Sequence, residues 1–199
     1  MNPFPLLISL LFLAAVPVDA ALVLKFDPPA LPHGSRGFDS YSEGGVIFSG
    51  TLSGSFSQTD TGLSDRPDDG SAHLDITRMF TQFRFLDNRT FSLNQLDVAE
   101  YSTVFASPKT ISLNGVKADN SSVTFSFTTD GIIDGTGPLP DFQTVVIPPS
   151  FSNLQRVEFS SAGFSIDNVT LTSTPEPSTL HYGLLLMGAL LLHRNRRQA

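Results

Sequence analysis

Apolar residues recur at every second position in short runs through the middle of the chain. Val46 and Phe48 share a parity with Leu52 and Phe56. Leu74 and Ile76 form a second set, with Phe80 on the same parity. Phe83 and Phe85, Phe91 and Leu93, Ile111 and Leu113, and Val123, Phe125 and Phe127 follow. Val145 with Ile147, Val157 with Phe159, and Phe164 with Ile166 complete the series. A period of two is the repeat of a strand with one buried and one wet face. No apolar set at helical spacing extends over three turns here. The runs are separated by Asp68-Asp69-Gly70, Asp87-Asn88, Asp119-Asn120, Asp130-Gly131 and Asp134-Gly135, residue types that turn the chain back on itself. Many short strands with polar turns predict an all-β, antiparallel sandwich or jelly roll.

Two of these runs change parity midway. Phe91 and Leu93 give way to Leu96 and Val98 at Asn94-Gln95, and Phe164 and Ile166 give way to Val169 and Leu171 at Asp167-Asn168. A one-residue shift that keeps the apolar set on one face predicts a β-bulge, or else a strand end or simple kink.

The ends follow a different pattern. Leu6 to Val16 is an apolar run, followed by Val18-Asp19-Ala20 before Ala21. As a helix it spans roughly 16 Å, too short for a bilayer. With the small-x-small triplet it reads as a signal peptide, residues 1–20, although the segment before it has no Lys or Arg. At the other end, residues 174–199 hold Pro175, Glu176, Pro177 and Ser178, then an apolar stretch over 180–192, then Arg194, Arg196 and Arg197. Prolines break the chain between body and tail. The stretch would be a transmembrane helix of roughly 20 Å, short against a bilayer core of about 30 Å. The arginines behind it set its C-terminal end in the cytoplasm and the body, residues 21–173, outside.

This order of Pro-Glu-Pro, short apolar helix and terminal arginines, with Gly183 and Gly188 inside the helix, resembles the PEP-CTERM sorting signal. The resemblance implies recognition by an exosortase, a membrane peptidase, in a Gram-negative, exopolysaccharide-producing bacterium. It implies transient residence in the inner membrane, removal of the tail, and delivery to the outer envelope or extracellular matrix. Phe91 to Leu171 also resembles the extracellular jelly-roll modules common in such proteins, which look like carbohydrate-binding sandwiches. That second resemblance implies a structural calcium ion at Asp167, with Asp27 as the second acid from an early strand.

Composition narrows the function. Of 199 residues 40% are hydrophobic, and the net charge is −7. Set apart from its two ends, the body carries 17 acidic and 9 basic residues, which argues against nucleic acid as partner. The chain has no cysteine, so disulfides, zinc–thiolate sites and cysteine nucleophiles are excluded. The body histidines, His33 and His73, have no partner at metal-ligand spacing. No nucleophile elbow, phosphate loop or dinucleotide fingerprint occurs. Glu43, Glu100 and Glu158 are the body's only glutamates, and no spacing ties them into a hydrolase pair. The densest acidic run, Asp65 to Gly70, reads as a solvated turn. With no tryptophan in the chain, Tyr101, beside Glu100, is the candidate aromatic platform for a sugar. Together with what the PEP-CTERM resemblance implies, this predicts a non-catalytic structural or adhesive protein of exopolysaccharide or biofilm. A carbohydrate-binding module is the alternative, and a secreted hydrolase the third reading.

Overall fold

The computed structural model describes residues 21–27 and 35–173, and the signal peptide, the sorting motif and the apolar stretch over 180–192 lie outside the described residues. The described chain is all-β and antiparallel. Its strands are β1 (Ala21–Leu24), β2 (Ser35–Phe38), β3 (Ser40–Glu43), β4 (Val46–Gly50), β5 (Phe56–Thr59), β6 (His73–Ile76) and β7 (Thr81–Phe85). They continue with β8 (Phe91–Glu100), β9 (Thr110–Lys117), β10 (Ser122–Thr128), β11 (Gln143–Val146), β12 (Leu154–Phe159) and β13 (Phe164–Ser173). A single 3-10 turn, Thr103–Phe105, interrupts them. Among the described residues no helix is long and apolar enough to cross a membrane.

The strands fall into two halves. One runs β2-β5-β6-β13-β8, with β11 on the far side of β8 and β1 on the end of β13; the other runs β3-β4-β7-β12-β9-β10. Among the described residues the pairing of Leu154 with Phe91 joins them. Alternation sends the apolar side chains of both halves into one shared core. Aromatic contacts cross between the halves. Phe48 of β4 meets Phe56 of β5 at 6.3 Å between ring centres, Phe83 of β7 meets Phe91 of β8 at 5.8 Å, and Phe159 of β12 meets Phe164 of β13 at 5.5 Å. Each fully buried phenylalanine contributes about 1.5–3 kcal/mol, so the phenylalanine-rich composition supplies the adhesion between the halves.

Both parity changes are bulges. Between β8 and β13 the register gains one residue at Asn168 and, on the other strand, one at Asn94. Asn168 takes a positive φ of 47°, a conformation that asparagine tolerates. The two insertions offset one another, so Leu96, Val98, Val169 and Leu171 stay in the core with Phe91, Leu93, Phe164 and Ile166. Leu52 and Phe80, assigned to apolar sets by their parity, are instead 54% and 62% exposed. Strand β4 ends at Gly50 and β6 at Ile76, so neither residue belongs to the strand whose rhythm it continues.

Candidate functional site

The outward positions of the second half form one polar row. Ser40 pairs with Ser49, Ser49 with Gln82, Gln82 with Glu158, Glu158 with Asn114, and Asn114 with Thr124, from β3 across to β10. Their strand neighbours Phe48, Phe83, Val157, Phe159 and Leu113 point into the core, and alternation therefore holds this row at the surface. The side chains bind one another along the row. Gln82 Nε2 donates to Ser49 Oγ at 3.4 Å, Asn114 Nδ2 donates to Glu158 Oε2 at 2.8 Å, and Arg156 Nε donates to Glu158 Oε1 at 2.7 Å.

Two adjoining depressions of about 450 Å³ each lie on this row and share Gln82 and Glu158. The first reaches from Ser49 and Thr51 past Asn114 to Ser160 and is flanked by Phe80. The second continues to Arg84, Asn88, Gln155 and Arg156. Phe80 sits in the connection just before β7 with φ +60°. A bulky residue in the left-handed region stores about 1–2 kcal/mol of strain. Here the strained backbone carries a ring that stands in the open at the end of a polar groove, in the arrangement of an aromatic platform with hydrogen-bonding groups beside it.

Burial pushes the Glu158 carboxyl up, but the bonds from Asn114 and Arg156 outweigh burial and hold it below its usual range. It is therefore an ionised acceptor rather than a proton donor. Among the described residues lining the two depressions it is the single carboxylate, whereas glycoside hydrolysis of the usual kind needs two. The other glutamates have different tasks. Glu43 accepts the N–H groups of Lys25 and Phe26 at 3.0 and 2.9 Å and the Tyr41 hydroxyl at 3.1 Å, tying the end of β1 to β3. Glu100 is buried and accepts the Thr129 hydroxyl and, at 2.7 Å, the Gly131 N–H.

The outward face of the first half is polar too, but sealed. Ser57, Asp75 and Ser165 stand opposite one another on β5, β6 and β13, and Thr59 stands opposite His73. Asp75 Oδ2 accepts from Ser57 at 2.8 Å and Thr59 at 2.6 Å, and Oδ1 accepts from Ser165 at 2.5 Å. His73 Nε2 lies 3.4 Å from Asp75 Oδ1, and among the described residues neither of its ring nitrogens has a hydrogen-bond partner. Burial raises Asp75, yet His73, Ser165 and Thr59 outweigh it and hold the carboxyl below its usual range. Serine, histidine and aspartate thus meet, but the hydroxyls donate to the carboxylate and not to the imidazole, which is not the order a nucleophilic serine requires.

Two connections cover this layer. The Phe142 ring lies 5.5 Å from His73, the Asp68 N–H donates to Asp141 at 2.9 Å, and Ser71 Oγ donates to Asp167 at 2.9 Å. The acidic run around Asp68 is therefore structured: Asp68 accepts from Thr61, Gly62 and Gly70.

Of the residues singled out by sequence, Asp167 is buried beside Ser71 and Asn168 at its bulge. Burial, assisted by the facing Asp69, pushes its carboxyl up to about 8. Asp27 is exposed in the segment that follows β1, where its charge acts on Tyr41. Among the described residues no cluster of three or more histidine or acidic side chains is arranged to hold a metal ion. Tyr101 is half-buried and lines a depression of about 320 Å³ with Phe105 and Lys109. The Arg66 guanidinium stacks 4.0 Å from its ring centre, so one aromatic face is already occupied. Phe80, Gln82 and Asn114 were not among the sequence candidates. The signal that marks the groove is a pair of polar-x-polar steps, Gln82-x-Arg84 and Arg156-x-Glu158, that alternate with the core residues Phe83, Phe85, Val157 and Phe159. No protein-family model matches the chain, and no curated protein matches it.

Proposed function

We propose that the protein is an exported, non-catalytic polysaccharide-binding component of the cell envelope or extracellular matrix, built as a jelly-roll sandwich. The observation that carries this reading is the groove: a strained, exposed Phe80 next to a row of amides, hydroxyls and one ionised carboxylate. A sugar ring offers an apolar face and a rim of hydroxyls, and this surface complements both. The isolated carboxylate of the groove supports binding over hydrolysis. Export and sorting rest on the sequence: a signal peptide over 1–20, Pro175-Glu176-Pro177-Ser178, and the basic end at Arg194, Arg196 and Arg197. An exosortase removes the tail, and the body leaves the inner membrane for the matrix.

The test of binding is affinity electrophoresis of the exported protein through gels containing extracellular polysaccharides. Wild type is expected to be retarded, and Phe80→Ala to lose about tenfold in affinity, equivalent to about 1.4 kcal/mol. Equal retardation of the two proteins would remove the groove as the binding site. Mass spectrometry of the exported protein from cells with and without the exosortase tests the sorting, with Arg194 to Arg197 retained only without the peptidase.

A further inference from the structure

The second depression has a charge character unlike the rest of the body. The body carries 17 acidic and 9 basic residues, but this depression is lined by two guanidinium groups, Arg84 and Arg156, against the single carboxylate of Glu158. The register places the two arginines side by side. Phe83 pairs with Val157 and Gln82 with Glu158, so Arg84 and Arg156 face each other one position further along adjacent strands, on the same outward face. Like charges directly opposite across a sheet destabilise it. The fold carries that repulsion at a half-buried position with one anion to offset it.

Both arginines are also held in place. Arg84 Nη1 donates to Phe85 O at 3.2 Å and to Asn88 Oδ1 at 2.8 Å, and Arg156 Nε donates to Glu158. Among the described residues Nε and Nη2 of Arg84, and both terminal nitrogens of Arg156, have no hydrogen-bond partner. A guanidinium fork fixed through one nitrogen and open on its other donors is pre-organised for a planar carboxylate.

We infer that the groove selects acidic polysaccharides, with a sugar ring on Phe80 and the carboxylate of a uronic sugar further along the chain bound between Arg84 and Arg156. This rests on the polysaccharide-binding reading above and adds the class of sugar. The Glu158 charge is offset by the Arg156 guanidinium paired with it at 2.7 Å, so the positive charge of Arg84 is left over among the residues lining the depression. The negative body does not decide the matter either. Charges are screened beyond about 8 Å at physiological salt, so a bound carboxylate responds chiefly to the two adjacent arginines.

The test uses hyaluronate, a chain alternating neutral and uronic sugars, and the same polymer after chemical reduction of its carboxylates to alcohols. Wild-type protein is expected to bind the acidic form about tenfold or more tighter than the reduced form. Arg84→Gln is the informative variant, because it leaves the Arg156–Glu158 pair intact. It is expected to bring the acidic form down to the affinity of the reduced form, which itself stays unchanged. Thermal melting is expected to show that it folds, with a midpoint equal to or above wild type because the like-charge contact is gone. Equal binding of both polymers by wild type, still dependent on Phe80, would overturn acid selection and leave the groove reading standing. Binding of neither polymer, with retention of a neutral glucan that Phe80→Ala abolishes, would do the same. Binding of no polysaccharide at all would overturn both.

Discussion

On the outward side of one half, Ser57, Thr59, His73, Asp75, Ser165 and Asp167 are sealed under two connections. On the outward side of the other, Ser49, Gln82, Asn114 and Glu158 stand in an open groove. Both sets arise in the same way, as the polar half of a period-two alternation whose apolar half fills the common core. The difference lies in what covers them. Over the first face, the connections around Asp68 and Asp141 bring their own hydrogen bonds and the Phe142 ring. Water is excluded there, so the serine and threonine hydroxyls donate to the Asp75 carboxylate, while among the described residues the His73 ring nitrogens have no hydrogen-bond partner. Over the second face nothing in the described chain intervenes, and the side chains remain available to a ligand. Polar residues of one kind thus serve as mortar in one place and, in the other, line the groove for which polysaccharide binding is proposed.

The largest expected effect breaks the sealed face. Asp75→Ala removes the acceptor of three buried hydroxyls and the carboxylate that lies 3.4 Å from a buried histidine. Stranding those groups is expected to destabilise the protein by about 3–5 kcal/mol. Gln82→Ala, at an equally polar position of the open face, is expected to stay within about 0.5 kcal/mol of wild type. Urea denaturation of the two variants checks the contrast, and similar losses in both would mean that the groove residues are structural as well.

The second effect is a pH dependence of the sealed face, with two signs. Asp75 has a lowered pKa in the folded protein. Folding favours its carboxylate, so its contribution is present above the ordinary carboxylate range and lost as pH falls through it. Asp167 is the reverse. Its carboxyl is raised from 3.8 to about 8, so folding favours its protonated form. That stabilisation is complete below about 3.8 and is lost as pH rises towards about 8. Asp167→Asn keeps the neutral form at every pH. Melting in chelator is expected to show it close to wild type at pH 4 and more stable at pH 8, by on the order of a few kcal/mol. A variant less stable than wild type at pH 8, with calcium raising only the wild-type midpoint, would show instead that a cation holds the carboxylate.

Much of this architecture was legible in the sequence because it follows from local rules. Compensating parity changes at Asn94 and Asn168 gave two bulges. The turn signals became positive-φ residues at Gly70, Asn88, Asn120, Gly131 and Gly135. The sealed face was not read, since alternation predicts a wet side and cannot say that the connections around Asp68 and Asp141 will lie over it. Its trace is nonetheless present: Ser57-x-Thr59, His73-x-Asp75 and Ser165-x-Asp167 are polar steps that neighbouring strands bring side by side. Tyr101 was singled out as the aromatic beside a strand end, but Arg66 from a distant connection occupies its face. Phe80 was assigned by parity to the set of Leu74 and Ile76. The strand stops at Ile76, and the chain between it and β7 turns the ring out to solvent. Parity carries information only as long as the strand continues.

The smallest expected effect sharpens the comparison at that residue. If the open face is kept for recognition and not for stability, its most strained position should improve the fold when it is relaxed. Phe80 holds φ +60° with its ring 62% exposed, so the ring contributes little burial to offset the conformation. Phe80→Ala removes the ring and keeps a Cβ in the left-handed region. Phe80→Gly removes the ring and also accepts that conformation without steric conflict. Glycine gives back part of this gain through the greater entropy of its unfolded chain. The net expectation is that Phe80→Gly melts above Phe80→Ala by the equivalent of about 0.5–1 kcal/mol, while both lose polysaccharide binding to the same extent. Differential scanning calorimetry measures the first quantity and affinity electrophoresis the second. If Phe80→Gly were less stable than Phe80→Ala, the left-handed turn would not be a strain held for the ring. The aromatic platform would then have to be sought at Phe105, beside Tyr101.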